Sequence, residues 1–376
     1  MSNILLLGSG TQGIALAKDI KVSGHRVLFI GERFNYADVS RYVDNRLYCS
    51  LDPMTPEYYK TVRDFIVCND VDAIIPMGDR TAEFLSRNKM ELTKLAHFEI
   101  PDYYYFMNGV DKNKLMSICS QRGYPHPFTI NTVKDIREID KELIPFPLLI
   151  KPNITCGARG MTLVNSYDEL LLSFPAIQKK YGDCHLQQYI KQGGSQVEVQ
   201  LLVENRRLVN YSVIQKYRWY PEKGGSSCCA RSVVNEKIVD ILYHLLLDLN
   251  WSGFADFDTI ENPDTGELLI MELNPRVPAC VKCAVEAGIH WGEIITNSYL
   301  HQPQKKYSYK EDIFLRHLGF EILWFVKSSN RFKTYPNWFK FFGKDIYYQD
   351  MSGLKDPFPF IVGTMRNVGT LLLHKK

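Results

Sequence analysis

Three short apolar runs near the N-terminus, Ile4–Leu7, Arg26–Ile30 and Ala73–Pro76, are divided by helix-patterned stretches over Gly13–Val22 and Pro56–Cys68. Strands separated by helices cannot close as hairpins. Each crossover returns the chain in the same direction, so the pattern demands a parallel sheet with helices on its faces. Gly8-Ser9-Gly10-Thr11-Gln12-Gly13 sits at the first strand-to-helix turn, and Glu32 closes the second strand. In that setting glycines let a pyrophosphate approach a helix N-terminus while an acid takes ribose hydroxyls, which makes an NAD(P)-dependent oxidoreductase one reading of the chain. The same glycines serve any tight turn of a doubly wound sheet, and no catalytic pair accompanies them. His25 reads as a surface residue at the start of a strand.

The chain has 376 residues, 45% hydrophobic and 23% charged, ordinary globular usage that accommodates two or three domains. A formal charge of +3 is too small to argue for nucleic acid. Nine cysteines make an odd count, and the N-terminus runs straight into a strand without a basic leader, so a reducing cytoplasm is expected. Membrane-spanning helices need roughly 20 apolar residues, and no run comes near this; Ile241–Leu249 is broken by His244 and Asp248.

Near residue 105 the pattern changes. Asp111 is placed to cap a helix that ends at Gly123, with Lys112 in its first turn, where a cation opposes the helix dipole. Phe146–Pro152 is a buried strand that delivers Lys151 at its end, followed by the loop Thr155–Met161 with Gly157, Arg159 and Gly160. A lysine at a strand end and a Gly-containing loop make a sensible phosphate clamp, though without Walker spacing. The plain alternative is a hairpin with a surface loop. Gln196–Leu202 alternates polar and apolar, with Gln196 and Glu198 on one face; alone, that describes an edge strand.

Gly253–Thr259 and Leu268–Leu273 flank Asn262-Pro263-Asp264-Thr265-Gly266, a strong turn signal between two β-prone runs. Centring the turn on Asp264 sets Asp256 opposite Glu272, with Asn274 on the same side. Opposed side chains have Cβ atoms about 4.5–5.5 Å apart, so two carboxylates there repel unless a proton or cation intervenes. Oxygen ligands alone suit a hard cation such as Mg²⁺. An acidic, solvated strand face is the alternative.

Taken in order, Asp111-Lys112, Ile150-Lys151-Pro152, Gly157 to Met161, Gln187-Gln188-Tyr189-Ile190, Gln196-Val197-Glu198, Asp256 and Glu272-Leu273-Asn274-Pro275-Arg276 resemble the ATP-grasp superfamily over roughly residues 1–300, nearest its carbamoyl-phosphate-synthase-like and carboxylate-amine ligase branch. The resemblance implies a mixed α/β chain: a Rossmann-like pre-ATP-grasp sheet over 1–105, an ATP-grasp fold of two α+β subdomains over 106–300 with a lid about 127–188, and a small extension over 301–376. It implies Lys112 and Lys151 on the ATP phosphates under the loop with Gly157, Arg159 and Gly160. Gln187, Gln188 and Ile190 form the adenine hinge through backbone groups of Gln188 and Ile190, and Gln196 with Glu198 lie at the ribose. Asp256, Glu272 and Asn274 would hold Mg²⁺ or Mn²⁺, two ions in all, and Arg276 would face the acyl-phosphate. Gln187 and Gln196 depart from the commoner Glu, but an amide still accepts hydrogen bonds.

The implied activity is an ADP-forming, amide-bond-forming ligase joining a small carboxylate to an amine, with an amino acid, peptide or sugar acid among its substrates. A carbamoyl-phosphate-synthase-like or carboxylase-like ligase and a non-catalytic ATP-binding subunit are the other readings. In the family the loop Lys223–Arg231 lines the acceptor pocket, which makes Ser226, Ser227 and Arg231 substrate candidates. Cys280-Val281-Lys282-Cys283 would form a zinc site only if Cys228 and Cys229 converged on it; reduced thiols are the expectation. Residues 305–376 carry 13 Lys plus Arg against 6 Asp plus Glu, leaving −4 elsewhere, and are rich in aromatics. They read as a small cap on the ligase core, with peripheral membrane or glycan contact as the alternative. A homodimer is compatible with all of this.

Overall fold

The computed structural model describes residues 1–154, 159–222 and 225–373. Its first sheet is parallel, in the order β3-β2-β1-β4, from β1 (Asn3–Leu7), β2 (Arg26–Gly31), β3 (Asn45–Tyr48) and β4 (Ala73–Pro76). The apolar runs are buried as read, Ile4 to Leu7 completely so. β3 is an edge strand with mostly exposed side chains, so it leaves no apolar signature in the sequence. The helix Pro56–Cys68 starts with Pro56 in its first turn and the Thr55 hydroxyl capping the Tyr58 amide, which fixes its boundary.

The second sheet, β5-β8-β6-β7, contains β5 (Thr129–Val133), β6 (Leu148–Pro152), β7 (Thr162–Val164) and β8 (Cys184–Gln188). With the helix Tyr167–Tyr181 it forms its own small core around Leu148, Ile150, Leu170, Phe174 and Leu186. The helix Lys112–Arg122 leads into it, capped by the Asp111 carboxylate on the Asn113 and Lys114 amides and stopped by Gly123 at φ 76°.

The third sheet has seven strands in the order β13-β12-β9-β10-β11-β14-β15: β9 (Gln196–Glu204), β10 (Arg207–Tyr220), β11 (Ser226–Val233), β12 (Gly253–Glu261), β13 (Leu268–Asn274), β14 (Phe314–Arg316) and β15 (Ile346–Tyr348). All neighbours are antiparallel except β14 and β15. β9 is therefore interior, not the edge strand its alternation suggested. Its polar residues are tolerated because they are paired: the Ser212 hydroxyl donates to Gln200 Oε1 at 2.8 Å, and Lys216 Nζ reaches Glu198 at 2.8 Å. One continuous apolar core joins the parallel sheet to β9, β12 and the helix Glu236–Asp248.

The segment after residue 301 adds β14 and β15 to this sheet and packs as a cap. Phe325, Trp338, Phe339 and Phe341 pack together, Phe325 stacked on Trp338 with ring centres 4.0 Å apart and the other pairs edge to face. Beneath them Glu321, wholly buried, bonds Arg218 of β10 at 2.5 Å and Arg316 of β14 at 3.0 Å.

The glycine-rich turn is used for packing. A Cβ on Gly13 would lie 2.5 Å from Ala37 Cβ, and one on Gly10 would strike the Gln12 side chain, which itself donates to the Met77 carbonyl. Thr11 accepts from Gln349 of the C-terminal segment at 2.9 Å, and Glu32 pairs with Arg366.

Candidate active site

The hairpin β12–β13 has a different register from the one drawn from its turn. Asp256 pairs with Asn274, and Asp258 with Glu272. Next to the turn, Thr259 opposite Ile270 is already one residue from the pairing that a centre at Asp264 gives, and a bulge between Asp258 and Thr259, which leaves Met271 over on β13, adds the second. Because strand side chains alternate, Asp256, Asp258, Glu272 and Asn274 still share one face. Asp258 is the addition: it belongs to the cluster and was legible two residues after Asp256.

β9 and β10 complete the floor. Asp258 also pairs with Glu198 across β12–β9, and Lys216 of β10 reaches both, at 2.5 Å to Asp258 and 2.8 Å to Glu198. Glu198 thus sits in the acidic cluster, where it also accepts from the Cys280 thiol. Lys112 Nζ lies 3.1 Å from Glu272, and Arg276 holds Asp79 at 3.0 Å with Asp256 at 3.8 Å. Asp79 heads the helix that follows β4, so this contact ties the hairpin to the parallel sheet.

Burial and crowding divide the carboxylates. Asp256 is 1% exposed; burial, then Glu198 and Asp258, push its carboxyl well above the usual range, against the opposing charges of Arg276 and Lys216. One of its oxygens, Oδ1, is buried without a hydrogen-bond partner. Burial also works against charge on Asp258, but Lys216 and Arg276 outweigh it and hold this carboxyl low. An uncompensated buried carboxylate oxygen beside three further oxygen-bearing side chains fits a hard divalent cation. Among the described residues no group of three His, Cys, Asp or Glu is already gathered as a metal cage. The anions are instead neutralised by Lys216, Lys112 and Arg276.

These residues line a cleft of about 680 Å³ between the second and third sheets, which also takes in Lys151, Tyr189, Ile190, Gln196, Trp219, Ser226 and Ser227. Lys151 Nζ donates to Gln187 Oε1 at 2.5 Å, and burial, reinforced by Lys112, lowers its pKa to about 8. Gln187 therefore acts on the lysine from beneath and does not itself line the cleft. The Gln188 amide donates to the Phe128 carbonyl, and of the segment Gln187–Ile190 the residues that line the cleft are Tyr189 and Ile190. Gly157 lies outside the described residues. Arg159 and Gly160 are not among the lining residues; Gly160, at φ 76°, packs against Tyr181 and Pro152, and Met161 lines the cleft instead.

Arg231 is turned away from the cleft, paired with Asp312 at 2.7 Å and lying over the Tyr217 and Tyr335 rings. Sequence reasoning missed His317, Phe320 and Gln349, which come from the C-terminal segment and line the same cleft. Nothing near them in sequence marks them as lining residues. All eight described cysteines are free.

Residues 110–280 match the family described as an ATP-grasp domain. The chain is 24% identical over 232 residues to D-aspartate ligase of Enterococcus faecium, covering 54% of this chain and 52% of that protein. It is 22% identical over 310 residues to the carbamoyl phosphate synthase large chain of Deinococcus radiodurans, covering 74% and 29%. The chain therefore spans about half the length of the first relative and under a third of the second. Among solved structures, the biotin carboxylase domain of 2-oxoglutarate carboxylase from Hydrogenobacter thermophilus, in complex with MgADP and bicarbonate, superposes with a TM-score of 0.67 at 16% identity, over 83% of this chain and 73% of that one. That likeness is one of fold. With its paired sheets, lysine-bearing strand and acidic hairpin, the chain carries an ATP-grasp domain over residues 110–280.

Proposed function

We propose that the protein is an ATP-dependent carboxylate-amine ligase that forms an amide and releases ADP and phosphate. The observation that carries this is one cleft holding Lys112, Lys151, an acidic oxygen cluster and Arg276 together. In the reaction, a substrate carboxylate oxygen attacks the γ-phosphorus of ATP and the bond to ADP breaks. An amine then attacks the acyl carbon of the acyl-phosphate, phosphate leaves, and the amine loses a proton. Lys112 and Lys151 bind the phosphates, Tyr189 and Ile190 border the adenine, and Gln196 lies at the ribose. Asp256, Asp258, Glu272 and Asn274 hold Mg²⁺, two ions on this reading. An ion held there would supply positive charge against the phosphoryl oxygens. Arg276 steadies the acyl-phosphate, and catalysis is mainly orientation and electrostatics. Ser226 and Ser227 line the substrate end, and the kinship with D-aspartate ligase supports an amino acid as one substrate.

ADP release should appear only when a carboxylate and an amine are both supplied, in a screen of amino acids, peptides and sugar acids with products identified by mass. Glu272→Gln and Arg276→Ala should each lower that release by well over about tenfold. Tight ATP binding without turnover on any mixture would leave a non-catalytic nucleotide-binding protein, and undiminished turnover in both variants would remove the assigned site. A carbamoyl-phosphate-synthase-like or carboxylase-like reaction would instead show bicarbonate-dependent ADP release without an added acid.

A further inference from the structure

The helix Leu318–Lys327 and the loop after it expose an unusual run of large apolar side chains. Phe342 is 90% exposed, Phe332 72%, Val326 60%, Phe339 58%, Tyr335 58% and Ile322 48%. Two of the exposed rings are held in place from behind: Phe332 and Phe339 each contact Phe325, at 5.6 and 5.7 Å between centres, and Phe325 stacks on Trp338. Ile322 and Val326 lie one turn apart on the same outer helix face. Between Ile322 and Lys344 there are five cations, Lys327, Arg331, Lys333, Lys340 and Lys344, and no acid. Among the described residues none of the five is ion-paired.

We propose that this face docks the protein on an anionic lipid surface. Rings standing at headgroup depth, aliphatic side chains beside them and lysines that keep their ammonium groups in water are the arrangement an interfacial element needs. An anionic leaflet attracts such a cluster over about a Debye length. A protein partner fits less well, because interface cores are depleted in lysine, and four of these five cations are lysines. Single-stranded nucleic acid would use the rings and cations but has no use for Ile322 and Val326, since bases stack on aromatic faces. No helix of the described residues is long and apolar enough to cross a membrane, so the contact is peripheral.

The test is co-sedimentation of the full chain with vesicles of mixed phosphatidylglycerol and phosphatidylcholine, and with phosphatidylcholine alone. The wild type should sediment with the anionic vesicles, be released by high salt and ignore the neutral ones. Replacing Lys327, Lys333, Lys340 and Lys344 together by Gln should weaken partitioning by roughly fivefold per cation. Phe332→Ser with Phe342→Ser, which keeps the charge, should weaken it by about tenfold or more. Unchanged thermal unfolding of both variants shows that they are folded. Absent sedimentation of the wild type, equal sedimentation with neutral vesicles, or undiminished binding by the folded Gln variant would overturn the proposal. So would single-stranded RNA binding alone, or a dimer that the Ser variant converts to monomer without any vesicle binding.

Discussion

His185 and Lys151 are neighbours on adjacent strands, and the same dry floor acts on both. His185 is fully buried, its Nδ1 lies 2.9 Å from Asn153 Oδ1, and its other ring nitrogen has no partner. Burial, then Lys151 and Lys112, push its pKa down to about 3 from 6.5. In the unfolded chain it takes up a proton as pH falls below 6.5, while the folded protein refuses it. The unfolded state then binds more protons, so stability is complete above the unfolded value and declines as pH falls toward the folded one. Between pH 7 and pH 5 that contribution is about 2 kcal/mol. Urea unfolding at both pH values should show this loss in the wild type and a smaller one in His185→Gln; equal losses would mean that the imidazole is already charged in the fold.

The hairpin shows what an element adds to its residues. Alternation alone set Asp256, Glu272 and Asn274 on one face, and that survives; the register at the turn and the bulge at Met271, both invisible in the sequence, decide together which residues oppose each other. Lys216 was not legible either. It lies on a 14-residue strand with polar neighbours, and only the β9–β10–β12 order brings its ammonium to an aspartate 42 residues later. Half-buried between Glu198 and Asp258, it occupies the place of a counter-ion. Replacing it by Met leaves both acids without that charge, which should lower stability by about 1–3 kcal/mol. Mg²⁺ alone should then raise the melting temperature of Lys216→Met more than that of the wild type. An equal Mg²⁺ response would show that the cation does not reach these carboxylates. The parallel sheet was legible for the opposite reason: β1, β2 and β4 are buried on both faces, and continuous apolar runs need no partner to be recognised.

At the scale of the whole molecule, the C-terminal segment is where sequence reading ran out, because its role depends on what it touches. Its composition pointed to a cap, yet it supplies two strands to the large sheet and His317, Phe320 and Gln349 to the cleft. Glu321 joins the parts. Its carboxylate holds Arg218, which also donates to the Pro336 carbonyl, and Arg316, which donates to the Trp338 and Lys340 carbonyls. Two guanidinium groups, each 1% exposed, thus depend on one acid. Glu321→Gln keeps the shape and removes the charge, leaving two buried cations uncompensated, so it should destabilise the fold by about 3–5 kcal/mol. Because Arg218 belongs to β10, inside the seven-stranded sheet, the loss should move one cooperative transition rather than release the cap alone. Urea unfolding followed by tryptophan fluorescence and far-ultraviolet circular dichroism should give coincident midpoints in the wild type and the variant, both lower in the variant. An early fluorescence transition with the dichroism midpoint unmoved would mean instead that the cap folds as an appendage and Arg218 finds another partner.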